Sequence, residues 1–271
     1  MTRPSPEEIL QHITAESSRF REVLAATSSA APVPACPDWT AADLLWHLGE
    51  VQWFWARVIE SRPAGPESLA DPDRPATHEA LLTFFDRAHR RLVDALRSAD
   101  PTDTAWSWAD EQTVAFTLRR QAHEALIHRL DAEETAGRST PLDPALAADG
   151  VAELLEVMHG GVPPWGTLTR SGTTVRVAIT DTGDELFLDL GRFTGTSPTS
   201  GRQYDEPAFD VVDALPAGRS GPGATVAAPA AVLDTWLWRR GDAEALLGQI
   251  ELTGDADALD HFRSVVSSPL E

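Results

Sequence analysis

The sequence contains no lysine and no asparagine, so all 22 of its basic residues are arginine. That excludes a Schiff-base lysine, a P-loop lysine and an N-glycosylation acceptor. Both missing residues use AA-starting codons, which points to a GC-rich genome. Cysteine is nearly absent as well. Cys36 stands alone, which excludes an intrachain disulfide and any cysteine-rich zinc site. No apolar run approaches the ~18 residues of a membrane span, and the opening Met-Thr-Arg-Pro-Ser-Pro-Glu-Glu lacks a signal peptide's apolar core. The expectation is a soluble, cytoplasmic protein. Positive charge is scarce beside negative, 22 basic against 42 acidic residues for a formal net charge of −20. Such a chain is unsuited to non-specific nucleic-acid binding, which needs cationic side chains to displace counterions from phosphates. A small anionic ligand held by one or two local arginines remains compatible with it.

What is present is ample material for a core: 271 residues, 42% of them hydrophobic, with nine tryptophans. The length suggests two domains. Residues 1–160 read as helices joined by proline- and aspartate-rich loops. Ser5-Pro6-Glu7-Glu8 is a capping box with proline at the first helical position, opening a helix to about Ala26. The segment Pro32 to Asp38 breaks the helical pattern. Thr40-Ala-Ala-Asp43 then caps a helix to about Glu60, and further amphipathic helices are expected over 77–98 and 115–135, the latter ending near Gly137. Four such helices in succession predict a four-helix bundle. A shorter fifth helix, 144–159, follows Asp143 as its cap.

The second half, 161–271, reads as a small α+β domain. Strands are expected over 173–180, 185–190, 224–228 and 249–253, with helices over 229–240 and 256–266. The stretch 194–223, rich in Gly, Pro and Ser, reads as loop.

Among eight histidines, the string Gln121-Ala-His-Glu-Ala-Leu-Ile-His128 carries the most chemistry. It is not a zinc-protease H-E-x-x-H motif, because Ile127 stands where the second histidine belongs. At about 100° per residue, His123 and His128 point about 140° apart. Glu124 and His128, four residues apart, lie one turn above each other and offer a carboxylate and an imidazole to one divalent metal. A bundle site needs a further ligand from a facing helix, and His47, inside the apolar second helix, is the best candidate. A His/Glu/His set leaves a coordination position open, as catalytic sites do. Asp131, one turn past His128, is placed to orient that imidazole. His12, His78, His89, His159 and His261 read as surface or helix-end residues, and His123 as a surface residue or one behind the ligands. Cys36 reads as a small buried hydrophobe, and Trp39, Trp46, Trp53 and Trp55 as core and pocket wall.

Two strings, Val33-Pro-Ala-Cys-Pro-Asp-Trp-Thr-Ala-Ala-Asp-Leu-Leu-Trp-His-Leu-Gly-Glu50 and Gln121 through Glu133, resemble the mycothiol-dependent maleylpyruvate isomerase family. The tail Ala227 to Asp242 is similar to that family's C-terminal domain. The resemblance implies a DinB-like four-helix bundle carrying the metal, followed by a sterol-carrier-like α/β domain. It also implies a divalent metal, usually zinc, on His47, Glu124 and His128, mycothiol as the thiol cofactor, and an actinobacterial source. The metal would lower the thiol's pKa to give a thiolate that attacks a small electrophilic substrate. Trp238 and Arg240 match the family's tryptophan–glycine–arginine pattern, and Arg240 is the residue expected to hold a carboxylate of substrate or thiol. The departure is Arg239, which stands where the family often has glycine.

The leading reading is therefore a metal-dependent, mycothiol-using transferase or isomerase. The alternatives are a metal-dependent hydrolase activating water, and a non-catalytic binding protein of the same fold. Neither nucleic acid nor membrane is expected as a partner.

Overall fold

The computed structural model describes residues 3–215 and 221–268, which divide into two compact units, one of residues 4–142 and one of the described residues from 143 to 268 together with Arg3. In the first unit, the capping box at Ser5 starts helix α1 (Pro6–Ala25), with the Glu8 carboxylate accepting from the Ser5 amide at 2.7 Å. A two-stranded hairpin follows, β1 (Pro32–Val33) and β2 (Cys36–Thr40), where the helical pattern breaks. Thr40 and Asp43 form a second capping box for α2 (Ala41–Ser61). Helices α3 (His78–Ser98) and α4 (Val114–Thr135) complete the bundle. Past α4, Gly137 takes the left-handed conformation, φ 64°, that closes a helix and that glycine adopts without a Cβ clash. Helix α1 packs on α3 and α4, and α2 packs on the same two. Their shared core includes Phe20, Leu24, Leu44, Leu45, Leu48 and Phe85, each at most 1% exposed.

The second unit begins earlier than the expected position 161. Helix α5 (Pro144–Glu153), running into a π-turn at Leu154–Met158, belongs to it and packs on α6 (Ala230–Leu237). Gly150 permits that approach: a Cβ there would stand 2.7 Å from an oxygen of Asp234 on α6.

A five-stranded mixed sheet forms the body of this unit, in the order β5-β4-β3-β6-β7. Its strands are β3 (Gly166–Ile179), β4 (Glu185–Thr196), β5 (Gln203–Val212), β6 (Ala224–Ala228) and β7 (Glu251–Gly254). Only β3 and β6 run parallel. Helix α7 (Ala243–Leu247) is short, and α8 (Ala256–Val266) packs on β5, β3 and β6.

Two expectations are corrected here. The stretch 194–223 is not all loop, because β5 lies in it and pairs with β4 from Gln203↔Thr196 to Val212↔Phe187. Pro207 masked the strand in the sequence. Proline is tolerated at a sheet edge, where no ladder partner needs its missing N–H, and β5 is an edge strand. The helix expected over 229–240 stops at Leu237, since Arg239 turns into the left-handed region. Part of the loop reading, 216–220, lies outside the described residues. No helix among the described residues is long and apolar enough to cross a membrane.

Candidate metal centre

The candidate site sits where α2 faces α4. His47, on the second turn of α2, and Glu124 and His128, one turn apart on α4, bring one potential ligand atom each to within 4.8 Å of one another. The His128 Nε2 stands 3.2 Å from Glu124 Oε2. The His47 and His128 rings meet edge to face, centroids 4.9 Å apart at 81°. Trp39 lies against the other imidazole, with its ring centroid 4.8 Å from that of His47.

The surroundings fix the roles of the two nitrogens of His128. Its Nδ1–H donates to Asp131 Oδ2 at 2.9 Å, and Asp131 is fully buried. That bond sets the tautomer and leaves Nε2 turned toward Glu124. Arg120, one turn before Glu124 and 3% exposed, makes an ion pair with Glu124 Oε1 at 3.2 Å. Burial acts to raise the Glu124 pKa, but Arg120, His128 and His47 outweigh it and hold the carboxyl well below the usual range. Burial likewise acts to lower His128, and the hydrogen bonds to Asp131 and Glu124 outweigh it and raise its pKa. Two imidazoles and an ionised carboxylate, with one imidazole already oriented from behind, suit a divalent transition metal such as zinc.

The remaining histidines divide differently from expectation. His123 is 1% exposed, so its surface reading is corrected. His89 is half-buried, its Nδ1 3.1 Å from Gln52 Oε1 and its ring stacked on Phe85. His159 does lie at a helix end, following the π-turn, and is half-buried there. Cys36 is half-buried in β2 and packs against the bundle core with Trp39.

Sequence reasoning did not single out Arg120. Its signal was available: position 120 lies four residues before Glu124, one turn away on the same helix face. The reasoning also missed a buried ionic network further along α4. Arg19 Nε donates to Glu133 Oε1 at 2.7 Å, Arg129 to Glu133 Oε2 at 3.1 Å, and the Thr140 amide to Glu133 Oε2 at 2.9 Å.

Arg239 and Arg240 belong to the second unit, on the wall of a cavity of about 330 Å³ shared with Trp236, Gly241 and Leu246. Arg239 has φ 56° and donates to the carbonyls of Val266 and Ser268. Arg240 Nη1 donates to the Trp238 carbonyl at 2.8 Å.

A helical bundle with a His/Glu/His cluster, followed by a unit built on a mixed sheet, is the architecture of a two-domain enzyme with a bundle-borne site. The family description "Mycothiol maleylpyruvate isomerase N-terminal domain" matches residues 10–133, and "MDMPI C-terminal domain" matches residues 145–261. The chain belongs to the mycothiol-dependent maleylpyruvate isomerase family, and is an enzyme of that mycothiol-dependent isomerase type.

Two solved structures share its fold. The crystal structure of a histidine-to-alanine mutant of the mycothiol-dependent maleylpyruvate isomerase aligns with TM-score 0.60 and 13% identity, covering 94% of this chain and 98% of that one. The unmutated enzyme aligns with TM-score 0.58 over the same shares, also at 13% identity. No curated protein matches the sequence.

Proposed function

We propose that this mycothiol-using isomerase holds a divalent metal, zinc by donor type, on His47, Glu124 and His128, and acts on a small electrophile. The observation that carries the reading is the convergence of two imidazoles and an ionised carboxylate within 4.8 Å. When bound, the metal supplies Lewis acidity that favours the thiolate form of a thiol cofactor. The protein's own sulfur is ill suited to that role, since Cys36 is half-buried against the bundle core.

The side chains around the cluster have separable tasks. Asp131 keeps the Nδ1 proton of His128 in place, so that Nε2 would be the nitrogen to exchange its hydrogen bond to Glu124 for a bound metal. Arg120 keeps Glu124 ionised and engages its Oε1, leaving Oε2 on the His128 side. Trp39 packs on His47 and limits its ring rotation.

We assign Arg240 the task of holding a substrate or thiol carboxylate. Both Arg239 and Arg240 line the cavity beside Trp236, Arg239 donating to the Val266 and Ser268 carbonyls and Arg240 Nη1 to the Trp238 carbonyl. A guanidinium suits that task through its planar pair of donors. A cytoplasmic location agrees with a lone cysteine outside any disulfide.

Elemental analysis of protein purified without chelator tests the metal. The expected result is about one metal per chain, lost in His47→Ala/His128→Ala and kept in His123→Ala. Equal metal in the double variant overturns the assignment. Mycothiol added to the metal-loaded protein should then raise the melting temperature saturably, by mass action on the native state. Turnover of a hydrolysable substrate panel without any thiol would instead favour a metal-dependent hydrolase.

A further inference from the structure

In a chain with 42 acidic side chains against 22 arginines, an arginine without a carboxylate beside it is an exception. Most guanidiniums among the described residues meet a carboxylate or a backbone carbonyl. Those of Arg57, Arg87, Arg90 and Arg138 make no hydrogen bond or ion pair among the described residues. Three of these four fall together, Arg57 on α2 and Arg87 and Arg90 on α3, where the two helices pack on each other.

They border a groove. Two adjoining cavities, of about 500 and 200 Å³, lie between α2 and α3 and share Arg87 and Arg91. Together they follow α3 from Phe84 to Ser98, about 20 Å along the helix axis. The floor is apolar, formed by the buried Phe84, Ala88 and Ala95. On the α2 side the Arg57 guanidinium lies 5.3 Å over the Trp53 ring. On the α3 side Arg87 and Arg90 are exposed. The acidic groups here are already matched. Glu60 takes both nitrogens of Arg91 at 2.6 Å, and Asp94 pairs with Arg97 at 3.4 Å. The groove therefore carries three unmatched positive charges over an apolar floor.

Ordinary roles of arginine leave this arrangement unexplained. A cation answers the helix dipole in the last turn, and Arg87 and Arg90 stand in the middle of α3. Arginine stems shield apolar surface from water, but a paired arginine such as Arg91 does so equally well. Like charges set side by side repel, and this chain has carboxylates to spare. Arginine and tryptophan are also the residues most enriched where binding energy concentrates on a protein surface. The inward face of α3 is wholly apolar, so any task beyond packing falls to this outward one.

From this we propose that the α2–α3 groove docks an acidic peptide segment of a partner protein, its carboxylates on Arg57, Arg87 and Arg90 and an apolar side chain on the Phe84–Ala88 floor. Charge complementarity selects this occupant. A second copy related by two-fold symmetry would set the same arginines against each other. A flat anionic membrane would meet the rest of a chain of charge −20 as well as the groove. A narrow acidic segment meets the groove alone, since exposed charges more than about 10 Å away are screened at 0.1 M salt. The acidic remainder of the surface repels such a segment elsewhere and so fixes where it docks. The proposal does not depend on the metal and thiol reading.

Fluorescence anisotropy on the full chain tests it, with labelled acetyl-Glu-Glu-Leu-Glu-Glu-Leu-amide as the probe, about 20 Å long when extended. Saturable binding that weakens with added salt is expected, with none to the peptide in which glutamine replaces each glutamate. Arg87→Gln/Arg90→Gln should weaken the acidic peptide about fivefold, the joint loss of two exposed charge pairs. Both side chains are exposed and without a partner among the described residues, so this variant keeps its fold. Arg138→Gln, which removes an equally unmatched charge outside the groove, should leave affinity unchanged. Several results would each overturn the proposal. They are no binding of the acidic peptide, equal binding of the glutamine peptide, affinity unchanged in the double variant, or an equal loss in Arg138→Gln. Binding of phosphatidylglycerol vesicles without binding of the peptide, or a dimer in sedimentation that the double variant dissolves, would assign the groove to another occupant and overturn it as well.

Discussion

Helices α3 and α4 are almost equal in length, 21 and 22 residues, and both belong to the bundle, yet they spend their polar side chains in opposite ways. In α3, eight residues are buried and every one is apolar. In α4, 18 are buried, and these include Arg120, His128, Arg129, Asp131 and Glu133. An ionisable group taken from water costs several kcal/mol unless it is paired. Helix α4 meets that cost by joining its charges in two sets, one around Glu124 and one around Glu133. Helix α3 only closes the core. A bundle needs amphipathic helices like α3 to fold, and a helix like α4 to do chemistry.

The largest effect should come from breaking the set that has no ligand to serve. Glu133 is fully buried and accepts from Arg19, Arg129 and Thr140. Glu133→Ala removes one of the two carboxylates on the buried Arg129, which keeps Glu16 at 2.7 Å, and takes away the acceptor of Arg19 and Thr140; it should cost about 3 kcal/mol in urea denaturation. Burial acts to raise the Glu133 pKa, but Arg19, Thr140 and Arg129 overcome it and depress the value. A depressed carboxylate stabilises the fold above its unfolded pKa of about 4.3, and that contribution disappears as pH falls through the folded value. The gap between the native protein and Glu133→Ala should therefore narrow below that pH. A constant gap down to acid would show that packing, not charge, is what Glu133 contributes.

Next in size is the set that has a ligand to serve. Asp131→Ala removes the acceptor for His128 Nδ1–H while leaving all three metal ligands in place. Loss of such a partner lowers metal affinity about 10–100-fold. Competition with a chelator of known affinity measures it, on the bound metal rather than on turnover. Affinity unchanged in Asp131→Ala would make Asp131 part of the bundle's structure alone, and α4 would then differ from α3 in burial but not in task.

Much of this contrast was legible in the residues. Caps at Ser5 and Thr40 and the apolar periodicity located four helices to within a residue or two, because local hydrogen bonds and one buried stripe decide such boundaries. The i,i+4 spacing of Glu124 and His128 was equally local. His47 was harder, since its partnership with α4 depends on how helices pair. Arg120 and the Glu133 network escaped because their partners are set by tertiary burial, which periodicity does not report. In the second unit β5 was hidden by Pro207, and the transfer of α5 out of the bundle could be seen only from its packing on α6. The oddity noted at Arg239 turned out to be a backbone matter.

The helix ends sharpen the comparison at a smaller scale. Helix α4 closes with Gly137 at φ 64°, and α6 closes with Arg239 at φ 56°. The family's frequent glycine at the second position thus has a physical reason, since a side chain in the left-handed region costs about 1–2 kcal/mol. Arg239→Gly and Arg239→Ala both delete the contacts to the Val266 and Ser268 carbonyls, and only the alanine retains a Cβ. The glycine variant should be more stable than the alanine variant by about 1 kcal/mol, measured by thermal or chemical unfolding. Equal stabilities would remove backbone conformation as the explanation.

The smallest effect is expected on the outer face of α3, and it is the one that most directly asks whether the two helices differ. Arg97 lies in the last turn and pairs with Asp94 at 3.4 Å, their side chains 63% and 65% exposed. Three weak forces meet there. The pair is held in water, where an exposed i,i+3 contact contributes little and is screened by salt. The helix dipole favours a cation in the last turn by about 0.3–1 kcal/mol, reduced by ionic strength. Alanine, in return, is the better helix former, by a few tenths at most over arginine. Arg97→Ala should accordingly change stability by less than about 0.5 kcal/mol at physiological salt, with metal content untouched. A loss above about 1 kcal/mol, persisting in high salt, would mean that the polar face of α3 is engaged as tightly as that of α4. The division of labour between the two helices would then have to be redrawn.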